Sequence, residues 1–345
     1  MNHSSKVKDS LGFITPPRTQ RTEAEIMASW DNKNEIMVSI HCMAFNHEEF
    51  IEDAINGFLI QDTNFAFEVL INDDASTDNT AEIIKTYVEK YPNIIIPIYQ
   101  KENTYSKGYR TSLFNYLRVK GKYTALCEGD DFWFDKDKLQ IQVDFLEKNP
   151  KVVMCGHDVT RIAPNTEVTL ESELKLSKNK MYSQNRISLG LNLPSKSAMW
   201  RSDLPCLGPK MPMGDTFLFS YYGNFGKAYN FKKAMAAYRI HEGGIWSGLT
   251  REKQIVDSYS IYQSLAHYSL PKYQSIANLR FLLFLLEYKK ILSISDSEIR
   301  TIVVIIIKSF NMGSFIYVSN FTIGRMMRSI KRKIRAIPKI LGKNI

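Results

Sequence analysis

The feature that most constrains this chain is a design repeated from Ile36 onward. An apolar, β-branched run stops at a cluster of polar residues, and an amphipathic helix pattern follows. Ile36–Met43 (IMVSIHCM) reads as a buried strand. After Ala44-Phe45-Asn46-His47, the apolar positions Phe50, Ile51, Ala54, Ile55, Phe58 and Leu59 recur at helical spacing. Phe67–Asn72, the polar turn Asp73–Asp78 and the helix Thr80–Tyr91 repeat the unit, and Ile94–Tyr99 and Tyr123–Cys127 supply two further strands. Such alternation predicts an α/β fold built on a Rossmann-like, doubly wound, mostly parallel sheet with right-handed crossovers. Ligands of these sheets bind beyond the carboxyl ends of the strands. Phe45-Asn46, Asp73-Asp74 and Asp130-Asp131 all fall at such ends, so three polar clusters far apart in sequence converge on one crevice.

The stretch Tyr123–Trp133 (YTALCEGDDFW) carries the sharpest signal, because an apolar strand runs straight into adjacent carboxylates. Neighbouring acids repel, and each needs water, a cation or hydrogen-bond donors to stay ionised. A hard divalent cation, Mg²⁺ or Mn²⁺, with positions left for phosphate oxygens, is one reading of the pair. A solvated acidic turn ahead of the helix near Asp135 is the other, and the convergence of the three clusters favours the cation.

Composition narrows the class. The 44% hydrophobic and 23% charged residues suit a globular protein with a sizeable core. The four cysteines show no CxxC spacing, which fits reduced, buried thiols in a cytoplasmic protein better than a disulfide framework or zinc site. The N-terminus lacks the apolar run of a secretory signal. Of the formal net charge of +9, nearly all comes from Arg325–Ile345, which holds eight basic residues and no acid. A nearly neutral body with a basic tail does not suit a nucleic-acid binder. Met326, Met327, Ile330, Ile334, Ile337 and Leu341 share one helical face there, the pattern of an anionic membrane-surface anchor. A solvated terminal helix is the alternative. Thr301–Ile323 is apolar but interrupted by Lys308, Asn311 and Asn320, and reads as a buried or interfacial helix rather than a span.

The series VSIHCMAFNHEEFIEDAINGFLIQ, EVLINDDASTDNTAEII, KGKYTALCEGDDFW and MGDTFLF, closing with YRIHEGGIWSG, resembles the family 2 glycosyltransferases of GT-A fold over about Ile36–Gly248. The resemblance implies transfer of a sugar from a UDP- or dTDP-sugar to an acceptor hydroxyl, with inversion and with Mg²⁺ or Mn²⁺. By the same match Asp131 would hold the cation bridging the donor diphosphate, with Asp130 near the ribose and metal. Asp74 would accept the N3–H of a uracil-type base, and Phe45 would lie against that base. Asp215 would be the base that deprotonates the acceptor hydroxyl. His241 occupies a position that can contact metal or diphosphate, although a lone strand-end His is as often a satisfied structural residue. Trp133 and Trp246 lie beside the motifs, where they would shape an acceptor pocket or simply fill core. The loop reading GYRTSLFNYL lacks an alanine-arginine-asparagine motif common in the family, which puts diphosphate contacts from this loop in doubt and leaves Asn115 as a candidate for one.

The organisation expected is a flexible arm over 1–34, a GT-A domain over 35–249, a helical extension over 250–324 and the basic amphipathic tail over 325–345. The acceptor that suits such a tail is a lipid-linked saccharide at the inner face of the cell membrane, as in surface-polysaccharide assembly. The alternative is a degenerate transferase that keeps nucleotide-sugar binding as an assembly partner. A sugar nucleotidyltransferase would open with a glycine-rich basic loop after the first strand, where this chain reads AFNHEEF.

Overall fold

The computed structural model describes residues 14–162, 171–172, 174–188, 190, 193–205, 214–241, 243–244, 248–289, 291–295, 297 and 299. In chain order the elements are α1 (Glu23–Ala28), β1 (Ile36–Ala44), α2 (Ile51–Leu59), β2 (Ala66–Asp73), α3 (Thr80–Lys90), β3 (Ile95–Tyr99), α4 (Ser112–Tyr116), β4 (Tyr123–Leu126), β5 (Phe132–Trp133) and α5 (Lys138–Lys148). There follow β6 (Val152–Ile162), β7 (Glu171–Ser172), β8 (Lys180–Tyr182), α6 (Gln184–Ser188), a 3₁₀ turn at Ser195–Ser197 and β9 (Met199–Arg201). The series closes with α7 (Asp215–Tyr222), β10 (Lys227–Arg239), α8 (Arg251–Tyr268) and α9 (Pro271–Tyr288).

The strands form one sheet in the order β3-β2-β1-β4-β9-β6-β10-β5, with β7 beside β6 and β8 beside β10. β3, β2, β1 and β4 are mutually parallel, as the alternating pattern predicts. Beyond β4 the sheet is mixed: β9 is antiparallel to both β4 and β6, and β5 is antiparallel to β10. β10 itself runs parallel to β6 over its length and starts at Lys227, earlier than the apolar run Ala234–Ile240 suggests. Its first half alternates buried Ala228 and Asn230 with half-buried Tyr229 and Phe231 and carries exposed Lys227, Lys232 and Lys233, so it lacks the continuous apolar run of a fully buried strand.

The chain divides into two compact units. The first contains Met1–Ser183, Leu193–Met211 and Phe225–Ser247, hence the whole sheet. Its core packs Val38, Ile40 and Cys42 of β1 and Val69 and Ile71 of β2 beneath Ile51, Ile55 and Phe58 of α2. The reach from Ile14 to Asn34, expected to be a mobile arm, is instead fastened to this unit. Ile26 and Trp30 are buried in the core, and Arg21 donates to the carbonyls of Leu59 (2.9 Å) and Gln61 (2.7 Å). Thr22 and Glu25 form a reciprocal capping box on α1, which makes so short a helix worthwhile.

The second unit contains Gln184–Asn192, Pro212–Asn224 and Gly248–Ile345. The helix bearing Asp215 therefore groups with the C-terminal helices, and the boundary expected at 249 does not separate them. Thr250 caps α8 through its side chain, and Pro271 opens α9 at a position where its missing N–H costs nothing. Phe217 of α7 meets Tyr268 of α8 edge-on at 6.2 Å, and Tyr262 of α8 meets Phe284 of α9 at 4.9 Å. Among the described residues no helix is long and apolar enough to cross a membrane. The segments 301–323 and 325–345 lie outside the described residues.

Candidate active site

The carboxyl ends of the adjacent parallel strands β2, β1 and β4 hold the polar clusters singled out in the sequence. The loops after β1 and β2 are laced together by side chains. Asn46 N–H donates to Ser76 Oγ (2.9 Å), Thr77 N–H to Asn46 Oδ1 (2.8 Å) and His47 N–H to Thr80 Oγ1 (2.7 Å). Both loops turn through the left-handed region, at Asn46 (φ 54°) and Ala75 (φ 61°). Asparagine tolerates that conformation; alanine does so only under strain from its Cβ.

Phe45 stands on the β1 loop with 37% of its surface exposed, enough for its ring to be met by a flat ligand. Asp74, by contrast, is buried and already engaged. Its Oδ1 accepts from the N–H of Thr104 (2.9 Å) and also from the Thr104 hydroxyl, and its Oδ2 accepts from the N–H of Tyr105 (2.9 Å). A carboxylate has about four acceptor positions, so one stays open on Oδ2. Asp73 takes Ser76 Oγ at 2.5 Å, as a turn residue would; burial pushes its carboxyl above the usual range despite those bonds from Ser76.

The paired acids after β4 lead different lives. Asp131 is buried, with its Oδ1 accepting the N–H of Arg239 (2.8 Å) and its Oδ2 lying 3.2 Å from the Lys196 ammonium. Lys196 is buried too, with its ammonium 3.5 Å from the centre of the Tyr238 ring. Burial pushes the Asp131 carboxyl well up; the Lys196 ammonium opposes that rise and the neighbouring Asp130 charge adds to it. Asp130 turns the other way. Its Oδ2 lies 3.2 Å from His241 Nε2 and 3.9 Å from His47 Nε2. Burial raises the Asp130 carboxyl, but the His241 hydrogen bond and the neighbouring His47 outweigh it and hold it below the usual range. Gly129 is required here by close approach, since a Cβ would stand 2.8 Å from His47 Nδ1.

Residues 39–208 match the family model described as Glycosyl transferase family 2. The chain carries a family 2 glycosyltransferase domain. An uncharacterised protein of Mycobacterium tuberculosis is 35% identical over 215 residues, a match covering 61% of this chain and 60% of that relative. The match thus spans about three-fifths of that relative's length. The putative teichuronic acid biosynthesis glycosyltransferase TuaG of Bacillus subtilis is 34% identical over 110 residues, 32% of this chain and 42% of that one. Among solved structures, S. aureus TarS 1–349 in complex with UDP-GlcNAc superimposes with a TM-score of 0.54 at 16% identity, covering 73% of this chain and 72% of that one. The mannosyltransferase PcManGT of Pyrobaculum calidifontis, in complex with GDP-Man and Mn²⁺, superimposes with a TM-score of 0.51 at 14% identity, covering 90% and 88%. At such identities these likenesses establish the GT-A fold.

Against the family 2 pattern, three expectations change. The metal role given to Asp131 fits its surroundings poorly, because the Lys196 ammonium holds one oxygen and a main-chain N–H the other. Trp133 is fully buried, packs on Phe58 (5.0 Å), donates its Nε1–H to the Lys196 carbonyl (2.7 Å) and has the Lys138 ammonium 3.7 Å over its ring. No face is left for a sugar, so it is a core residue. Asn115 is also buried, donating to the carbonyls of Cys42 (3.0 Å) and Leu70 (2.7 Å) as a strut between β1 and β2. Trp246 lies outside the described residues.

Asp215 is the first residue of α7, in the second unit, and accepts the Thr216 N–H at 2.5 Å. Gly214 before it has φ 111°, a conformation open to glycine and not to residues with a Cβ. Sequence reasoning missed Lys196, Arg239, His47 and Asp53. The only signal for Arg239 was its place in the YRIHEGG motif, and Lys196 carried none.

Proposed function

We propose that the family 2 domain transfers a sugar from a UDP- or dTDP-sugar to an acceptor hydroxyl by inverting displacement. The observation that supports this most is the placing of Phe45, Asp74 and Asp130 at the carboxyl ends of three adjacent parallel strands. Phe45 stacks on the base. The one open acceptor position on Asp74 suits the single imino N–H of uracil or thymine better than the paired donors of guanine.

Asp130 and His241 are the residues that would hold Mg²⁺ or Mn²⁺, with Asp131 as the brace beneath. The Asp130 carboxylate is the donor of the set that fits such a hard cation, and the His241 imidazole beside its Oδ2 would be the second ligand. Among the described residues no group of three or more His, Cys, Asp or Glu is placed to hold a metal ion, so donor phosphate oxygens and water would have to complete the coordination of a cation here. When bound, the cation would neutralise the charge that grows on the departing diphosphate. Asp215, the first residue of α7, takes the proton of the attacking hydroxyl. The basic tail, eight cations in 325–345, would bring this cytoplasmic enzyme to the anionic inner face of the cell membrane, where a lipid-linked saccharide would be the acceptor.

The test is a donor panel with Mn²⁺ on the wild type, Asp130→Ala and Asp215→Asn. Loss of transfer in both variants, with UDP binding lost only in Asp130→Ala, is the expected result. Wild-type turnover in both would overturn the assignment. Metal-dependent UDP binding by a wild type that neither transfers nor hydrolyses any donor would point to the assembly-partner role.

A further inference from the structure

Asp53 lies on α2, away from the polar clusters at the strand ends, yet its two oxygens hold two different guanidinium groups. Oδ1 lies 2.5 Å from Nη1 of Arg18, and Oδ2 pairs with Nη2 of Arg239. The side chains of Asp53 and Arg239 are 10% and 11% exposed, whereas that of Arg18 is 53% exposed. Arg239 in turn touches both acids of the site. Its main-chain N–H donates to Asp131 Oδ1 (2.8 Å), and its Nη1 donates to the carbonyl of Asp130 (3.2 Å). The guanidinium lies 4.6 Å from the Phe132 ring centre and 5.1 Å from that of Phe50. Arg18 and Arg239 both lie outside the stretch 39–208 that matches the family model.

We propose that Asp53, gripped from outside by Arg18, is a positioning residue that fixes Arg239 and, through it, the Asp130–Asp131 pair, making the N-terminal segment a working part of the donor site. The inference rests on the reading of that pair as the diphosphate end of the site. Its physical basis is competition for a guanidinium. The Arg239 guanidinium is held by the Asp53 carboxylate and meets the Asp130 carbonyl, so an arginine released from Asp53 would turn to the carboxylate of Asp130 beside it. There it would occupy the carboxylate meant for the cation. Asp53 keeps the guanidinium aside while leaving its N–H on Asp131. Arg18 anchors Asp53 from the N-terminal segment, which Thr19 also ties to α2 by donating its N–H to Asn56 Oδ1 (3.0 Å).

The experiment measures UDP binding to the full chain by calorimetry, with and without Mn²⁺, alongside thermal melting. Outer partners of metal ligands typically change affinity by about 10–100-fold, so Asp53→Asn should weaken Mn²⁺-dependent UDP binding roughly tenfold. Arg18→Ala should weaken it in the same direction by less, and Arg18→Lys should recover it, since one N–H donor meets Asp53 there. A lowered melting temperature with unchanged UDP affinity in the Arg18→Ala and Asp53→Asn proteins would overturn the proposal. If Asp53→Asn does not fold, the Arg18 pair decides alone, because that side chain is half-exposed. A wild type that binds no UDP with any divalent cation would instead count against the donor-site reading itself.

Discussion

Ionisable groups in the first unit are handled in two opposite ways. At the strand ends and on the helix beside them, buried carboxylates are met by cations: Asp131 by Lys196, and Asp53 of α2 by Arg18 and Arg239. In the interior, buried bases are met by neutral groups. Lys138 donates to Gln142 Oε1 (2.7 Å) beneath the Trp133 ring, and His41 lies between Tyr116 and Trp200 at 6.4 and 6.2 Å. His157 has only its Nδ1 beside a carbonyl, that of Asp158 at 2.7 Å. The difference teaches where charge is wanted. Around the site the carboxylates are given cationic partners, while the core tolerates bases by stripping their protons, so that burial lowers Lys138 to about 7 and His41 to about 3.

The largest break in this contrast comes from removing a partner at the strand end. Lys196→Met leaves Asp131 buried without its cation, and losing one member of a buried pair costs about 3–5 kcal/mol. Urea unfolding should show that loss, and adding Asp131→Asn should recover much of it. Equal stability of Lys196→Met and wild type would mean that the pair contributes nothing.

Acid should expose the core bases. The native pKa of His41 lies below its unfolded value, so the unfolded chain binds the extra proton between about pH 6.5 and 3. Stability present above that window is therefore lost as pH falls, by about 2 kcal/mol from this residue at pH 5. Burial is the main cause and the nearby Arg118 and Arg110 charges add to it, while His157 shifts the same way. His41→Phe should flatten the fall measured by urea titration between pH 7 and pH 5. A fall as steep as that of the wild type would show that other groups govern acid unfolding.

How much of this contrast can be read without coordinates follows from its chemistry. β1, β2 and β4 and the acids at their ends are legible because each is a local pattern, an apolar run broken by polar residues. The partners are not. Asp53 and Arg239 are 186 residues apart, and Lys196 reaches Asp131 from the distant 3₁₀ turn at Ser195–Ser197, so no spacing announces either pair. The docked N-terminal segment was hidden for a related reason. A helix of six residues, anchored by Ile26 with Trp30 just beyond it, is too short to show a period. Trp133 stood open between an acceptor pocket and the core, because adjacency in sequence to Asp131 does not settle adjacency in the site; both residues of β5 are buried, Trp133 in the main core and Phe132 in a separate cluster.

The core's treatment of Lys138 gives a gain rather than a loss. Its native pKa is depressed, so the unfolded chain binds more protons between about pH 7 and 10.5, and stability rises with pH through that window. Lys138→Met removes the desolvated amine but leaves Gln142 Oε1 without its donor, a net gain of about 1–2 kcal/mol at pH 7. Thermal melting against pH checks both parts: the variant should melt higher at pH 7, and the rise toward pH 10 should shrink. A variant that melts lower would mean that the ring contact with Trp133 and the Gln142 bond outweigh the burial cost.

The smallest effect probes the strand ends from the backbone side. Ala75 holds φ 61° in the turn that presents Asp74, and its main-chain neighbours are fixed by Asp73 and Ser76. A left-handed alanine costs about 1–2 kcal/mol against glycine, and glycine gives back about 0.4–1 kcal/mol through a more disordered unfolded chain. Ala75→Gly should therefore stabilise by about 0.5 kcal/mol, a shift of a degree or two in Tm for a chain of this size. The sign matters more than the size. A gain with unchanged UDP affinity would mean that the strain is incidental to the site. A gain with weaker binding would mean that the alanine holds Asp74 and the Thr104–Tyr105 loop in one arrangement. In that case the strand ends spend backbone conformation, as well as ion pairs, on keeping a carboxylate in place.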